Sequence, residues 1–119
     1  MSDYRNLHVW HKSHALALDV YRLTNLFPDR ELYGLTSQMR RAATSIAANI
    51  AEGCGRSSDA DFARFLHVAM GSASELEYLV LLARDLRLVA GNTYDAILAD
   101  VQEVKRMLSA LIARLKADS

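Results

Sequence analysis

The sequence predicts an all-α chain folded as an antiparallel up-down four-helix bundle, a single domain over residues 1–119. Three observations lead there. Glycine (five) and proline (one) are sparse, while the good helix formers Ala and Leu are abundant. Breakers cluster at Pro28-Asp29, Gly53-Cys54-Gly55 and Gly91-Asn92, which cuts the chain into four segments. Within each segment, apolar or small residues recur in steps of three and four, which keeps them on one helix face and lets four such faces share a core.

The first helix is expected over about residues 6–26, with the seam Val9, Ser13, Leu16, Val20, Leu23 and Phe27. Pro28 with Asp29 stops it, since proline lacks the N–H that would continue the ladder. The second is expected over about 31–53, with Leu35, Met39, Ala42, Ile46, Asn49, Ile50 and Gly53 on its seam. Gly53-Cys54-Gly55 reads as chain termination and a tight turn. The third is expected over about 58–88 and runs through Phe62, Phe65, Ala69, Ser72, Leu76, Leu79, Ala83 and Leu86. Ser58 or Asp59 can cap it, because either side-chain oxygen accepts an unpaired first-turn N–H. The fourth is expected over about 92–117, with Asn92 as cap and the seam Tyr94, Ile97, Val101, Val104, Leu108, Leu111 and Leu115.

Composition narrows the function class. Apolar residues make up 51% and charged residues 24%, enough for a core and unlike a disordered chain. Fourteen basic residues balance fourteen acidic ones, so any nucleic-acid or membrane contact must come from a local patch. The single cysteine, Cys54, cannot close an intramolecular disulfide, and the opening MSDYRNLHVW lacks a secretory pattern. No apolar run approaches the ~20 residues of a membrane-spanning helix. A reduced, cytoplasmic protein is the expectation.

The segments LTSQMRRAATSIAANIAEGCGR (Leu35 to Arg56) and DFARFLHVAMGSASELEYLVLLARDL (Asp61 to Leu86), with the opening LHVWHKSHALALDVYRLTNLFPDRELYGL, closely resemble the bacterial four-helix bundle family of ribosomal RNA intervening-sequence proteins. A related branch looks like the accessory subunit of diversity-generating retroelements. The resemblance implies a pentameric barrel with basic surface for nucleic acid, and a reverse transcriptase as partner if one is encoded nearby. Two positions depart from the family pattern. Ala47 stands where the family commonly has proline, which should leave the second helix straighter. Arg87 stands where it commonly has glycine.

Catalytic and metal constellations fare poorly. A di-iron bundle needs Glu-x-x-His pairs, and none occurs: Glu31, Glu52, Glu75 and Glu77 are followed at the third position by Gly34, Gly55, Tyr78 and Val80. His8, His11 and His14 share an arc of about 120° on the first helix, and two of them could grip a metal. No carboxylate or thiol is positioned to complete the ligand set, so they read first as solvent-facing or interface histidines beside Trp10. A metal-binding bundle or an enzyme using these histidines is the competing class. Cys54 follows a helix C-terminus, where the dipole disfavours a thiolate. No cofactor is implied.

The remaining candidates concern register, assembly and binding. Asn49 on the core seam would fix helix register, and Glu52 with Arg56, spaced i,i+4, would close the turn near Gly53. Leu79-Val80-Leu81-Leu82-Ala83 sweeps 400° of azimuth, so Leu81, about 200° from Leu79, is expected to face outward. Ser37, Arg41, Thr44, Ala48 and Ala51 form a second line opposite the core seam, and small outward residues allow a neighbouring helix to come close. Thr44, Ala48, Ala51 and Leu81 are therefore the candidate subunit interface of a homo-oligomer. Arg40, Arg41, Arg56 and Arg64 form a candidate basic strip for RNA, DNA or a protein partner. The reading is a non-enzymatic, self-assembling bundle that serves as a binding or scaffold module, with nucleic-acid association implied by the resemblance.

Overall fold

Steps of three and four turn into burial along every helix, but on the third Leu86 is exposed past its end, and Phe65 and Ser72 are half-buried where Leu66 and Ala73 take the core. A computed structural model describes residues 3–118: α1 (His8–Thr24), α2 (Ser37–Cys54), α3 (Asp59–Asp85) and α4 (Gly91–Asp118), with no strand among the described residues. Leu16, Val20, Met39, Ile46, Ile50, Leu66, Leu76, Val101, Val104 and Leu108 form the fully enclosed centre. Two hydroxyls share it. Ser13 Oγ donates to the Val9 carbonyl and Thr24 Oγ1 to the Val20 carbonyl, each at 2.7 Å, so neither leaves a polar group unsatisfied.

The helices alternate in direction. Gly53 lies against Phe62 and Phe65, while Ser45 accepts a hydrogen bond from Ser72 at 2.9 Å, so moving back along α2 moves forward along α3. Arg84 stacks over Tyr94, and Glu77 meets Lys105 at 2.9 Å, which gives α3 and α4 the same antiparallel sense. Lys12 reaches Asp100 of α4 at 3.4 Å, and α4 closes the bundle against α1. The axis of the resulting particle is 46 Å long, with a cross-section of 23 × 20 Å.

Several element ends differ from expectation. A 3-10 turn, Tyr4–Asn6, precedes α1, which stops at Thr24. The stretch expected to open the second helix is instead a 3-10 turn Asp29–Glu31 and a wide turn Leu32–Thr36, broken at Gly34 (φ −114°, ψ −110°). Ser58 caps α3 as expected, its Oγ accepting from the Asp61 N–H at 3.1 Å. Asn92 does not cap α4, because that helix already starts at Gly91 and the Asn92 Oδ1 accepts only from the next residue, Thr93. α3 ends before residue 88. Arg87 takes φ 63°, with Leu88 N–H donating to the Ala83 carbonyl and Arg87 N–H to the Arg84 carbonyl, both at 2.9 Å. This Schellman closure puts Arg87 in the left-handed position that glycine favours. α2 continues unbroken through Ala47.

The Gly53-Cys54-Gly55 triplet ends the helix as expected, at Cys54 with Gly55 as cap, but Gly53 itself has another job. Helix α2 runs on through it to Cys54, and a Cβ on Gly53 would lie 2.7 Å from the Phe65 Cβ and 2.9 Å from the Phe62 Cδ1. It is the contact point of two helices rather than a terminator. Leu81 is also corrected: it is half-buried and packs against the core, since α3 lies between α2 and α4 and both flanks of its seam are covered. That burial also explains why α3 is long and apolar enough, by length and composition, to cross a membrane: eight of its residues pack inside the bundle.

Candidate nucleic-acid interface

The four candidate arginines do not form one strip. Arg40 lies in the first turn of α2 and Arg56 two residues beyond its last, Cys54, so the two stand at opposite ends of a helix about 26 Å long at ~1.5 Å per residue. The two ends differ in what holds the guanidinium.

At the α2–α3 turn, every cation has an acid. Arg56 Nη2 is 3.5 Å from Glu52 Oε2, and its Nε is 4.0 Å from Asp61 Oδ2. Arg64 Nη2 is 3.0 Å from Asp61 Oδ1. Both guanidinium groups also lie over the Phe65 ring, at 4.7 and 4.5 Å from its centroid. The expected Glu52–Arg56 pair is present, and Asp61 joins it. These contacts tie the turn together and cancel its positive charge.

At the other end, Arg40 Nε donates to Thr24 Oγ1 at 2.8 Å and Nη2 to Asn25 Oδ1 at 2.9 Å. Its guanidinium lies 4.7 Å from the centroid of the Tyr21 ring. Neutral oxygens and a ring fix the group in place and leave its charge intact. Arg41, one position on, is exposed, and among the described residues no carboxylate lies within ion-pair distance of either arginine. Both line an open groove with Tyr21, Leu32, Tyr33 and Thr36. The wide turn supplies that groove: it carries Tyr33 into solvent at 94% exposure and places Leu32 beside it. Seam reasoning misses Tyr33, because it assigns this stretch to a regular helix.

Asn49 is not a core residue. It is half-buried at the α2–α3 border, where its Nδ2 donates to the Ser45 carbonyl at 2.8 Å and to Ser45 Oγ at 3.0 Å; Ser72 Oγ in turn donates to Ser45 Oγ. The register role expected of one amide belongs to this three-residue polar rung. Thr44 and Ala48 are exposed, as their spacing implies, whereas Ala51 is half-buried. The adjoining surface of α3 exposes Val68 and Tyr78, and between them Gly71 has nothing within 4 Å of its Cβ position.

His11 and His14 join an aromatic cluster around Trp10, and His8 is exposed outside it. Trp10 stacks on His14 with rings 5.0 Å apart and 7° from parallel, Tyr4 tilts against Trp10 at 4.9 Å, and His11 Nε2 lies against the Arg5 carbonyl. Among the described residues no three His, Cys, Asp or Glu side chains are grouped to hold a metal. Arg5 Nε donates to Asp3 Oδ1 and Nη2 to Oδ2, a bidentate pair that lowers the Asp3 carboxyl below its ordinary value, chiefly through these side-chain hydrogen bonds.

The family model of the 23S rRNA-intervening sequence proteins matches residues 5–110, the span that holds both arginine groups. The chain belongs to that family. A crystal structure of a family relative, a protein of unknown function from the S23 ribosomal protein family of Bacteroides thetaiotaomicron, superposes with a TM-score of 0.82 at 29% identity, covering 88% of this chain and 95% of that one. No curated protein matches the chain. Membership thus places the four-helix architecture within a known family, while the groove and the polar rung are described from this chain's own side chains.

Proposed function

We propose that this chain is a non-enzymatic, self-assembling helical module that binds nucleic acid through the α1–α2 end of each subunit. The carrying observation is the Arg40–Arg41 pair: two adjacent cations without carboxylate partners, one of them fixed by Thr24, Asn25 and Tyr21. Assembly multiplies such a pair. Each copy adds phosphate contacts at high effective concentration, so a chain of zero formal charge still gains affinity. The α2–α3 surface supports self-association. A glycine inside an exposed helix costs about 0.5–1 kcal/mol relative to alanine, and a Cβ at Gly71 would meet nothing within 4 Å, so no close packing inside the chain calls for glycine there. A neighbouring helix seated there, against Val68 and the small residues Thr44 and Ala48, supplies such packing. The family resemblance implies a ring of five.

Light scattering with a salt series on retained RNA or DNA tests both parts. An assembly several times 13.3 kDa whose nucleic-acid affinity falls steeply with salt is the expected result. A monomer refutes the assembly, and retention insensitive to salt refutes the phosphate contacts. A second reading rests on Glu75, which shares a groove with Arg41 and is exposed: the arginine pairs with Glu75 of another copy. Under it, Arg41→Gln breaks the oligomer rather than the nucleic-acid contact.

A further inference from the structure

The groove at the α1–α2 end holds more than two cations. It is open and about 440 Å³ in volume. Tyr33 projects from its rim at 94% exposure, Tyr21 lies under the Arg40 guanidinium, and Leu32 adds an apolar edge at 43% exposure. A tyrosine this bare buries no ring within its own fold, and an aromatic face in solvent gains free energy when another flat ring covers it. Thr36, which also lines the groove, is 3% exposed, yet its Oγ1 has no hydrogen-bond partner. A buried hydroxyl left without a partner is costly, and a polar group entering the groove satisfies it. The lining contains no carboxylate.

We infer that this groove is a subsite for an unpaired nucleotide of single-stranded RNA or DNA. The base stacks on Tyr33, its polar edge reaches toward Thr36, and the flanking phosphate lies between Arg40 and Arg41. A duplex can offer the arginines its phosphates but not a free base face, so the site favours single strands. The inference deepens the proposed nucleic-acid function and rests on it. Arg41 also borders the polar groove of Gln38, Ser45, Ser72 and Glu75, which gives the strand a continuation along α2 and α3.

The experiment compares Tyr33→Ala, Tyr33→Phe and Arg41→Gln with the parent chain, using labelled oligo(U) RNA, oligo(dT) DNA and a duplex of equal length, with light scattering on every variant. The oligo(U) and oligo(dT) arms show whether the sugar is distinguished. Tyr33→Ala should weaken single-strand binding about 5- to 150-fold, the range for loss of one stacked base, and leave duplex binding unchanged. Tyr33→Phe should restore the single-strand preference, and Arg41→Gln should weaken all probes. Equal single-strand affinity for Tyr33→Ala and the parent overturns the subsite while leaving nucleic-acid binding standing. A parent chain that binds no probe overturns the function beneath it. A smaller assembly for Tyr33→Ala, with the tyrosine otherwise fully exposed, shows instead that a second copy covers the groove and overturns the inference.

Discussion

Arginine stands at both ends of α2, yet Arg56 near its C-terminus faces Glu52 and Asp61, whereas Arg40 near its N-terminus is held by Thr24 and Asn25. A carboxylate orients a guanidinium and cancels its field in the same act. A hydroxyl or amide oxygen orients it and cancels nothing. The number of basic residues in a region therefore says less about anion binding than the identity of the groups that hold them. In this chain the acid-paired end fastens a helical hairpin, and the neutral-held end keeps its charge.

The comparison can be strained hardest at the acid-paired end through its backbone. Gly53→Ala forces a Cβ to within 2.7 Å of the Phe65 Cβ, so α2 and α3 must separate where Arg56 and Arg64 cover Phe65. Overpacking of this kind costs about 1–3 kcal/mol, read as a lower midpoint in urea. Arg40→Ala should come next. It removes two hydrogen bonds and the cover on Tyr21, a loss of about 1–2 kcal/mol by the same measurement, so nucleic-acid tests at that end are better made with Arg41.

Of about the same size but opposite sign, Arg87→Gly should stabilise the fold by ~1 kcal/mol, because glycine adopts φ 63° without a Cβ clash. A thermal melt checks it, and a fall in the midpoint would show that the Arg87 side chain contributes more than its backbone costs. Smaller still, Arg56→Gln should change stability by less than ~1 kcal/mol, since its ion pairs are partly exposed to water, and should leave the salt slope of nucleic-acid binding where it was. Arg41→Gln should reduce that slope by about 1, one phosphate contact. If the two substitutions flatten the slope equally, the distinction between the ends of α2 collapses. The smallest effect lies outside both ends. Asp3, whose carboxyl is held low by Arg5, adds stability above its ordinary value of 3.8 that fades as pH falls through the lowered one; Asp3→Asn should flatten only that acid limb of the stability curve.

The fold was legible because burial in a bundle follows azimuth, and azimuth follows spacing. Val9, Leu16, Met39, Ile46, Leu76, Val101 and Leu108 sit where their steps of three and four put them. Spacing resolves a face only to about one residue's width. Asn49 next to Ile50 was placed on the wrong side of that limit, and Ile112 is buried where Leu111 was expected. Leu81 was misjudged for a related reason: a helix flanked by two others covers more of its circumference than a single seam suggests. The groove was hidden more deeply. Its shape comes from the break at Gly34, and a glycine within an apolar pattern is compatible with both a continuous helix and a broken one. The neighbours of Gly53, Phe62 and Phe65, lie across a turn, so their closeness exists only in three dimensions.

The close approach at Gly53 bears on the order in which the chain takes shape. Only residues 55–58 separate α2 from α3, and these two helices share the most extensive contact in the molecule. Closing so short a loop sacrifices little chain entropy, and the rung of Asn49, Ser45 and Ser72 rewards correct register at once. The α2–α3 hairpin is thus the natural nucleus, with α1 and α4 adding their apolar faces to a template already in place. Amide protons in the middle of these two helices should be the last to exchange with deuterium, and those of the Leu32–Thr36 turn among the first. The part of the chain that assembles earliest is then the base from which the Leu32–Thr36 turn presents its tyrosine.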